Sequence, residues 1–148
     1  MFRKIIHKCL HFIKFSFSFF RSIDPYASNK TILLVDNETD FCDLIGNALD
    51  KQGFKVIVAH TLASAITQLK TYNPSIILLD QNLPDGLGID FIGENKSTLE
   101  NKNIILISAN PSTELRETAM KLGVFDFLSK PLPPSALNKV VYLAATFY

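Results

Sequence analysis

The stretch Pro74-Ser75-Ile76-Ile77-Leu78-Leu79-Asp80-Gln81-Asn82-Leu83-Pro84-Asp85-Gly86 decides how this chain folds. Four large apolar residues run from Ile76 to Leu79 with no polar alternation, the pattern of a strand buried on both faces at the centre of a parallel sheet. The run stops at one carboxylate, Asp80. Gln-Asn, Pro and Asp-Gly then supply turn chemistry. A single Asp thus sits at the carboxyl end of a central strand, where open α/β sheets bind ligands. Taken alone, the same Asp would serve equally well as the first residue of a turn.

Working outward, Thr31-Ile32-Leu33-Leu34-Val35 is a second fully apolar strand, and it too ends in polar residues, Asp36-Asn37-Glu38. Thr39 or Asp40 caps a helix in which Phe41, Leu44, Ile45, Ala48 and Leu49 recur at helical spacing, closed by Gly53. Phe54–Val58 is a strand, and Thr61 opens a helix running to about Tyr72. After the central strand comes a short helix from Ile89 to about Glu94. Asn103–Ile107 is the next strand, ending in Ser108-Ala109-Asn110. Pro111 suits the first turn of a helix whose buried face is Leu115, Ala119, Met120 and Leu122, with Gly123 at its end. Val124–Leu128 is a further strand, ending in Ser129-Lys130-Pro131. A last helix from about Ser135 buries Leu137, Val140, Val141 and Ala144. Regular alternation of strand and helix predicts a doubly wound α/β fold, a flavodoxin-like (βα)5 parallel sheet with right-handed crossovers and strand order 2-1-3-4-5.

The bulk composition fits one domain of 148 residues. Charge is distributed unevenly. Residues 1–30 hold six Lys/Arg against one Asp, and the remainder hold nine Lys/Arg against thirteen Asp/Glu. An acidic body argues against direct nucleic-acid binding. Cys9 and Cys42, without metal-type spacing, suggest neither a disulfide framework nor a zinc site.

The chain divides into a leader and linker, residues 1–29, and a folded unit, residues 30–148. On a helix, Arg3, Lys4, His7, Lys8, His11 and Lys14 share one side, and Phe2, Ile5, Ile6, Cys9, Leu10, Ile13, Phe17 and Phe20 lie roughly opposite. This basic amphipathic extension, residues 2–20, suits an anionic membrane surface or a partner protein. An organellar targeting peptide or an unstructured leader has the same composition. Lys8, His11 and Lys14 interrupt any run approaching ~20 apolar residues, so no membrane span is predicted. His7 and His11 at i, i+4 would make a weak metal site at most. If the leader docks on a membrane, anionic vesicles will hold the full chain but not residues 30–148; equal sedimentation of both excludes it.

In the predicted sheet, Asp36, Asp80, Ser108 and Lys130 each close a different apolar strand on one edge. With order 2-1-3-4-5 the crevice lies between the first and third strands, so Asp36 and Asp80 face each other. Two adjacent carboxylates repel unless a cation joins them, and Mg2+ is bound by one or two carboxylates with carbonyls and water. Lys130 adds a point charge for phosphate, and Ser108 adds a hydroxyl donor. This set suits phosphoryl transfer onto a carboxylate.

On the segments Leu33-Leu34-Val35-Asp36-Asn37-Glu38, Leu78-Leu79-Asp80-Gln81-Asn82-Leu83-Pro84-Asp85-Gly86, Ser108-Ala109 and Lys130-Pro131, the chain resembles the receiver domain of two-component response regulators from about Lys30 to Val141. The resemblance implies Asp80 as phosphoacceptor and Asp36, Asp80 and the backbone carbonyl of Asn82 as Mg2+ ligands. It implies Ser108 as the switch hydroxyl, Lys130 as partner of the phosphoryl group, Pro131 as a cis proline and Phe127 as the switch aromatic. The family usually has two adjacent acids after its first strand. Here the second is Asn37, an uncharged ligand at best, which points to weaker metal binding. Glu38 is expected to point elsewhere, solvated or at the helix start. Phe127 lacks a hydroxyl, so any aromatic switch would work by packing alone.

The resemblance further implies a cytoplasmic signalling domain rather than an enzyme, peripheral at the membrane if the leader docks there. A sensor histidine kinase or histidine phosphotransfer protein would donate to Asp80, and an unidentified downstream protein would read the change. With no effector before Tyr148, a single-domain regulator is the first expectation. Asn37 motivates a different one, a phosphorylation-independent interaction module. A receiver portion of a larger hybrid kinase or regulator is the third.

Overall fold

The computed structural model describes residues 30–147; the leader and its membrane, targeting and metal readings lie outside them. The elements are β1 Thr31–Val35, α1 Thr39–Asp50, β2 Lys55–Ala59, α2 Leu62–Tyr72, β3 Ile76–Asp80, β4 Asn82–Leu83, β5 Gly86–Leu87, α3 Gly88–Glu94, α4 Lys96–Leu99, β6 Asn103–Ser108, α5 Thr113–Lys121, β7 Asp126–Ser129 and α6 Pro134–Thr146. Five strands form one parallel sheet in the order β2-β1-β3-β6-β7. In sequence order of these five strands this is 2-1-3-4-5, the predicted flavodoxin-like winding.

Each central strand feeds two cores, because successive side chains point to opposite faces. Ile32, Leu34, Ile76, Leu78, Ile105 and Ile107 pack with Cys42, Ile45 and Leu49 of α1 and with Val140, Val141 and Ala144 of α6. Leu33, Val35, Ile77, Leu79, Ile104 and Leu106 pack with α2, α3 and α5 through Ala65, Leu69, Phe91, Ile92 and Ala119. The unbroken apolar runs of the sequence follow from this double burial. Thr61 caps α2, its Oγ1 accepting from Ser64 N at 3.1 Å, and Asn73 ends that helix in the left-handed region at φ 44°.

Several local expectations are corrected. Leu44 is 65% exposed and Met120 51% exposed. In α1 the narrow inner stripe is Cys42, Ile45 and Leu49, so Leu44 falls outside it. In α5 only Ala119 is fully buried, and Met120, about 100° further round, turns to solvent. Helix α5 starts after Pro111, at Thr113, because Ser112 is the cap: its Oγ accepts from Leu115 N at 3.0 Å. The antiparallel pair β4–β5 and the single turn α4 were not expected; segments of two to four residues carry no readable periodicity.

Behind the end of β3 the backbone is packed without room for a side chain. A Cβ on Gly88 would lie 2.6 Å from the Asp80 carbonyl oxygen and 3.1 Å from Leu106 Cδ1. Gly88 N donates to Gln81 O at 2.8 Å, and the buried Gln81 side chain accepts from Ile89 N at 3.0 Å, fixing the start of α3. Gly88→Ala is therefore expected to cost about 1–3 kcal/mol by overpacking, read as a lowered thermal midpoint. An unchanged midpoint would mean that the loop relaxes freely.

Candidate functional site

The register of the sheet brings the acidic strand ends level. Val35 pairs with Leu79 in the β1–β3 ladder, so the next residues, Asp36 and Asp80, lie side by side. Asp36 is 1% exposed and Asp80 6%. Lys130, following β7, reaches across between them. Its Nζ lies 2.7 Å from Asp36 Oδ2 and 3.1 Å from Asp80 Oδ1. It also lies 2.7 Å from Glu38 Oε1 and 4.5 Å from the centre of the Phe41 ring, a cation–π contact.

Each carboxylate is also held by backbone. Asp36 Oδ1 accepts from Glu38 N at 2.9 Å, and Asp80 Oδ2 accepts from Asn82 N at 2.8 Å. The Asp36 main chain is tied on both sides: its N–H donates to Ala59 O at 3.0 Å, and its carbonyl accepts from Cys42 Sγ at 3.3 Å. His60 Nδ1 lies 2.8 Å from the same carbonyl, and since a carbonyl only accepts, that nitrogen carries the proton.

Burial pushes the Asp80 carboxyl above its ordinary pKa, against the opposing pull of the Asn82 amide and Lys130; Asp36 adds to the rise. Burial alone would lower Lys130, but its hydrogen bonds to Asp36, Glu38 and Asp80 outweigh that and hold it above the ordinary lysine range. Burial, followed by the charges of Asp36 and Asp43, pushes the free Cys42 thiol up to about 11, so it is an inert core residue.

The remaining sequence-predicted residues surround this centre at different distances. Ser108 ends β6, buried, with its Oγ accepting from Asn110 N at 3.2 Å and its carbonyl accepting from Lys130 N at 2.8 Å. The Lys130-Pro131 peptide is cis. Asn37 and Asn82 are exposed at the rim. Phe127 is set apart from the carboxylates: it is buried in the core on the α2–α3–α5 side, with the Arg116 guanidinium 4.7 Å from its ring centre.

Glu38 is a correction. It does precede α1 as its cap residue, but its side chain turns back onto Lys130 instead of pointing elsewhere. Asp85, read only as turn chemistry, also has a definite partner. Its two oxygens accept from Leu62 N and Ala63 N, each at 2.9 Å, so the loop after β3 is fastened to the first turn of α2.

Among the described residues no group of three or more His, Cys, Asp or Glu side chains is arranged to hold a metal ion. A Mg2+ ion that keeps most of its water needs only one or two carboxylates. Asp36 and Asp80 fit that donor set, since both are buried and offer an oxygen to one point, the position of the Lys130 ammonium, which Glu38 reaches from the solvent side.

A family model described as the response regulator receiver domain matches residues 32–142. The chain belongs to the response regulator receiver family. Among receiver-bearing relatives, the transcriptional regulatory protein CitB of Klebsiella pneumoniae is 43% identical over 104 residues, 69% of this chain and 44% of CitB. The phosphate regulon transcriptional regulatory protein PhoB of Escherichia coli (strain K12) is 32% identical over 110 residues, 73% of this chain and 48% of PhoB. The chain spans about half the length of the curated relatives it matches.

Solved receiver domains agree in shape. The beryllofluoride-activated NtrC4 receiver domain dimer superposes with TM-score 0.76 at 28% identity, covering 80% of this chain and 98% of that one. The signal receiver domain of a putative LuxO repressor protein from Vibrio parahaemolyticus gives TM-score 0.76 at 25% identity, covering 80% and 91%. Among the described residues no helix is long and apolar enough to cross a membrane.

Proposed function

We propose that Asp80 accepts a phosphoryl group from a sensor histidine kinase or a histidine phosphotransfer protein, and that the resulting change of surface is read by a downstream protein. The observation that carries this reading is the convergence of the Asp36 and Asp80 carboxylates on Lys130 Nζ at the carboxyl edge of the sheet. An oxygen of Asp80 attacks phosphorus, the bond from phosphorus to the donor imidazole nitrogen breaks, and an acyl phosphate forms. Asp36, Asp80 and the Asn82 carbonyl, with Asn37 at the rim, would hold Mg2+, which supplies positive charge to the transferring oxygens.

This chain's own residues do the rest. Asn82 N–H orients Asp80, and the backbone ties of Asp36 keep the neighbouring carboxylate fixed. Lys130 passes from the Asp80 carboxylate to the new phosphoryl oxygens. Ser108, at the end of the adjacent strand, donates its hydroxyl to the same group, and the movement of Ser108 reaches Phe127 and Arg116 through β6, β7 and α5. In this role the domain is a signalling acceptor and not a free-standing enzyme.

The test is intact-mass measurement of the full chain after incubation with acetyl phosphate and Mg2+. One added phosphoryl group, absent when the metal is chelated, is the expected result. No adduct under saturating donor favours the phosphorylation-independent module that the neutral Asn37 suggests.

A further inference from the structure

Glu38 has no part in the reading above, yet its carboxylate is as close to Lys130 as that of Asp36, 2.7 Å in each case. The two partners differ in surroundings: the Asp36 side chain is 1% exposed and that of Glu38 63%. Lys130 therefore has two buried partners on its inner side and one solvent-facing partner on its outer side. Glu38 is well placed for this because its backbone is fixed, with its N–H on Asp36 Oδ1 at 2.9 Å and its carbonyl accepting from Cys42 N at 3.0 Å.

A divalent cation and an ammonium cannot share the space between Asp36 and Asp80, since like charges a few ångströms apart repel strongly in a partly buried setting. For a metal to enter, Lys130 must give up its inner partners. Without Glu38 it would exchange two charged hydrogen bonds for water alone. With Glu38 it keeps one charged partner throughout. The neutral Asn37 sharpens the need, because the position that could add a carboxylate beside Asp36 adds no charge.

We propose that Glu38 is a positioning residue for Lys130, an outer anchor that draws the ammonium off the Asp36–Asp80 pair and so opens that pair to a divalent cation. The inference rests on the proposed phosphoacceptor reading of the same site. It concerns metal entry and assigns Glu38 no ligand role, because its side chain faces solvent while those of Asp36 and Asp80 are buried.

The experiment is a Mg2+ titration of the full chain, followed by backbone amide chemical shifts near Asp80, for the wild type, Glu38→Gln, Lys130→Gln and the double variant. Glu38→Gln is expected to raise the Mg2+ Kd about three- to tenfold, with little change in the metal-free melting temperature. In the Lys130→Gln background the same substitution is expected to change Kd by about twofold or less, because the residue that Glu38 anchors is gone. A Glu38→Gln Kd equal to the wild-type value overturns the inference and leaves the phosphoacceptor reading intact. An equal effect in both backgrounds overturns the route through Lys130. If Lys130→Gln does not fold, the Glu38→Gln ratio decides alone. A wild-type chain that does not bind millimolar Mg2+ overturns this inference together with the metal-dependent reading on which it rests.

Discussion

The Asp80→Asn variant is expected to take up no phosphoryl group from acetyl phosphate and Mg2+, while melting at or slightly above the temperature of the wild type at neutral pH. The first half follows from chemistry, since an amide oxygen is not a competent nucleophile for an acyl phosphate. The second half follows from the site's electrostatics. Burial and Asp36 disfavour the ionised Asp80 despite its bonds to Asn82 and Lys130. An Asn at this position keeps an oxygen for the Asn82 amide and removes the buried charge.

The sign of the pH dependence is fixed by the direction of that shift. The folded-state pKa lies above the ordinary 3.8, so on raising the pH the unfolded chain loses this proton first. Folding stability contributed by Asp80 is greatest below the ordinary value and falls as pH rises through the window up to the raised one. The advantage of Asp80→Asn in melting temperature should therefore be small in acid and open above about pH 4, reaching roughly 3–6 °C if the penalty is about 1 kcal/mol. Melting curves across that range, paired with intact-mass spectra, check both halves. A phosphorylated Asp80→Asn chain would remove Asp80 as acceptor, and a variant far less stable at neutral pH would contradict the electrostatic account.

The second large effect is expected at Lys130. Lys130→Met removes the cation shared by Asp36, Glu38 and Asp80 and leaves two buried carboxylates side by side. Breaking a buried pair by deleting one member typically costs several kcal/mol, because the remaining charge is left uncompensated. Lys130 is partly open to solvent, so about 2–4 kcal/mol is the expected loss, or a fall of roughly 8–15 °C in melting temperature. The folded-state lysine pKa lies above 10.5. Its contribution is therefore complete below that value and is lost only as pH rises beyond it, so the full deficit should be seen at neutral pH.

Magnesium should restore more stability to Lys130→Met than it adds to the wild type, since the competing ammonium is gone and the paired carboxylates await a cation. Equal melting of the two proteins in metal-free buffer would show that the triple ion pair is energetically idle. Phosphorylation should also fail or slow greatly, because the cation that neutralises the phosphoryl oxygens is missing.

The two carboxylates of this site were legible from residues alone because each closes an unbroken apolar strand. Ile76–Leu79 and Ile32–Val35 announce burial on both faces, and the first polar residue after each must then emerge at the sheet edge. Asp36 and Asp80 were recoverable for that reason. Lys130 follows Ser129 and a strand interrupted by Asp126, and it was recoverable from its place after the last strand and from the resemblance carried by Lys130-Pro131. The Glu38 contact was not, because the comparison with its neighbour Asn37, from which an extended chain turns it away, hides its relation to Asp36. Glu38 is itself extended (φ −83°, ψ 101°), and two residues on from Asp36 it falls on the same side and meets the same lysine. Gly88, Gln81 and His60 escaped for another reason. Their importance lies in contacts with backbone atoms from other segments, the Asp80 carbonyl, the Ile89 amide and the Asp36 carbonyl, and no spacing within a single stretch encodes those. Leu44 and Met120 mark a third limit: helical period identifies an apolar stripe but not how wide a stripe the neighbouring sheet covers.

The fastening of Asp85 to the first two amides of α2 bears on how the site responds to charge. A helix presents a partial positive end at its amino terminus, and such ends often cradle anions directly. In α2 those donors already face a carboxylate of the protein itself, and the Asp85 carboxyl is held below its ordinary pKa by them. That dipole is internally compensated, so on the proposed reading the charge of a phosphoryl group at Asp80 is left to Lys130, Ser108 and a bound cation. On that reading, ionic strength and free divalent-cation level would become inputs to this domain in their own right.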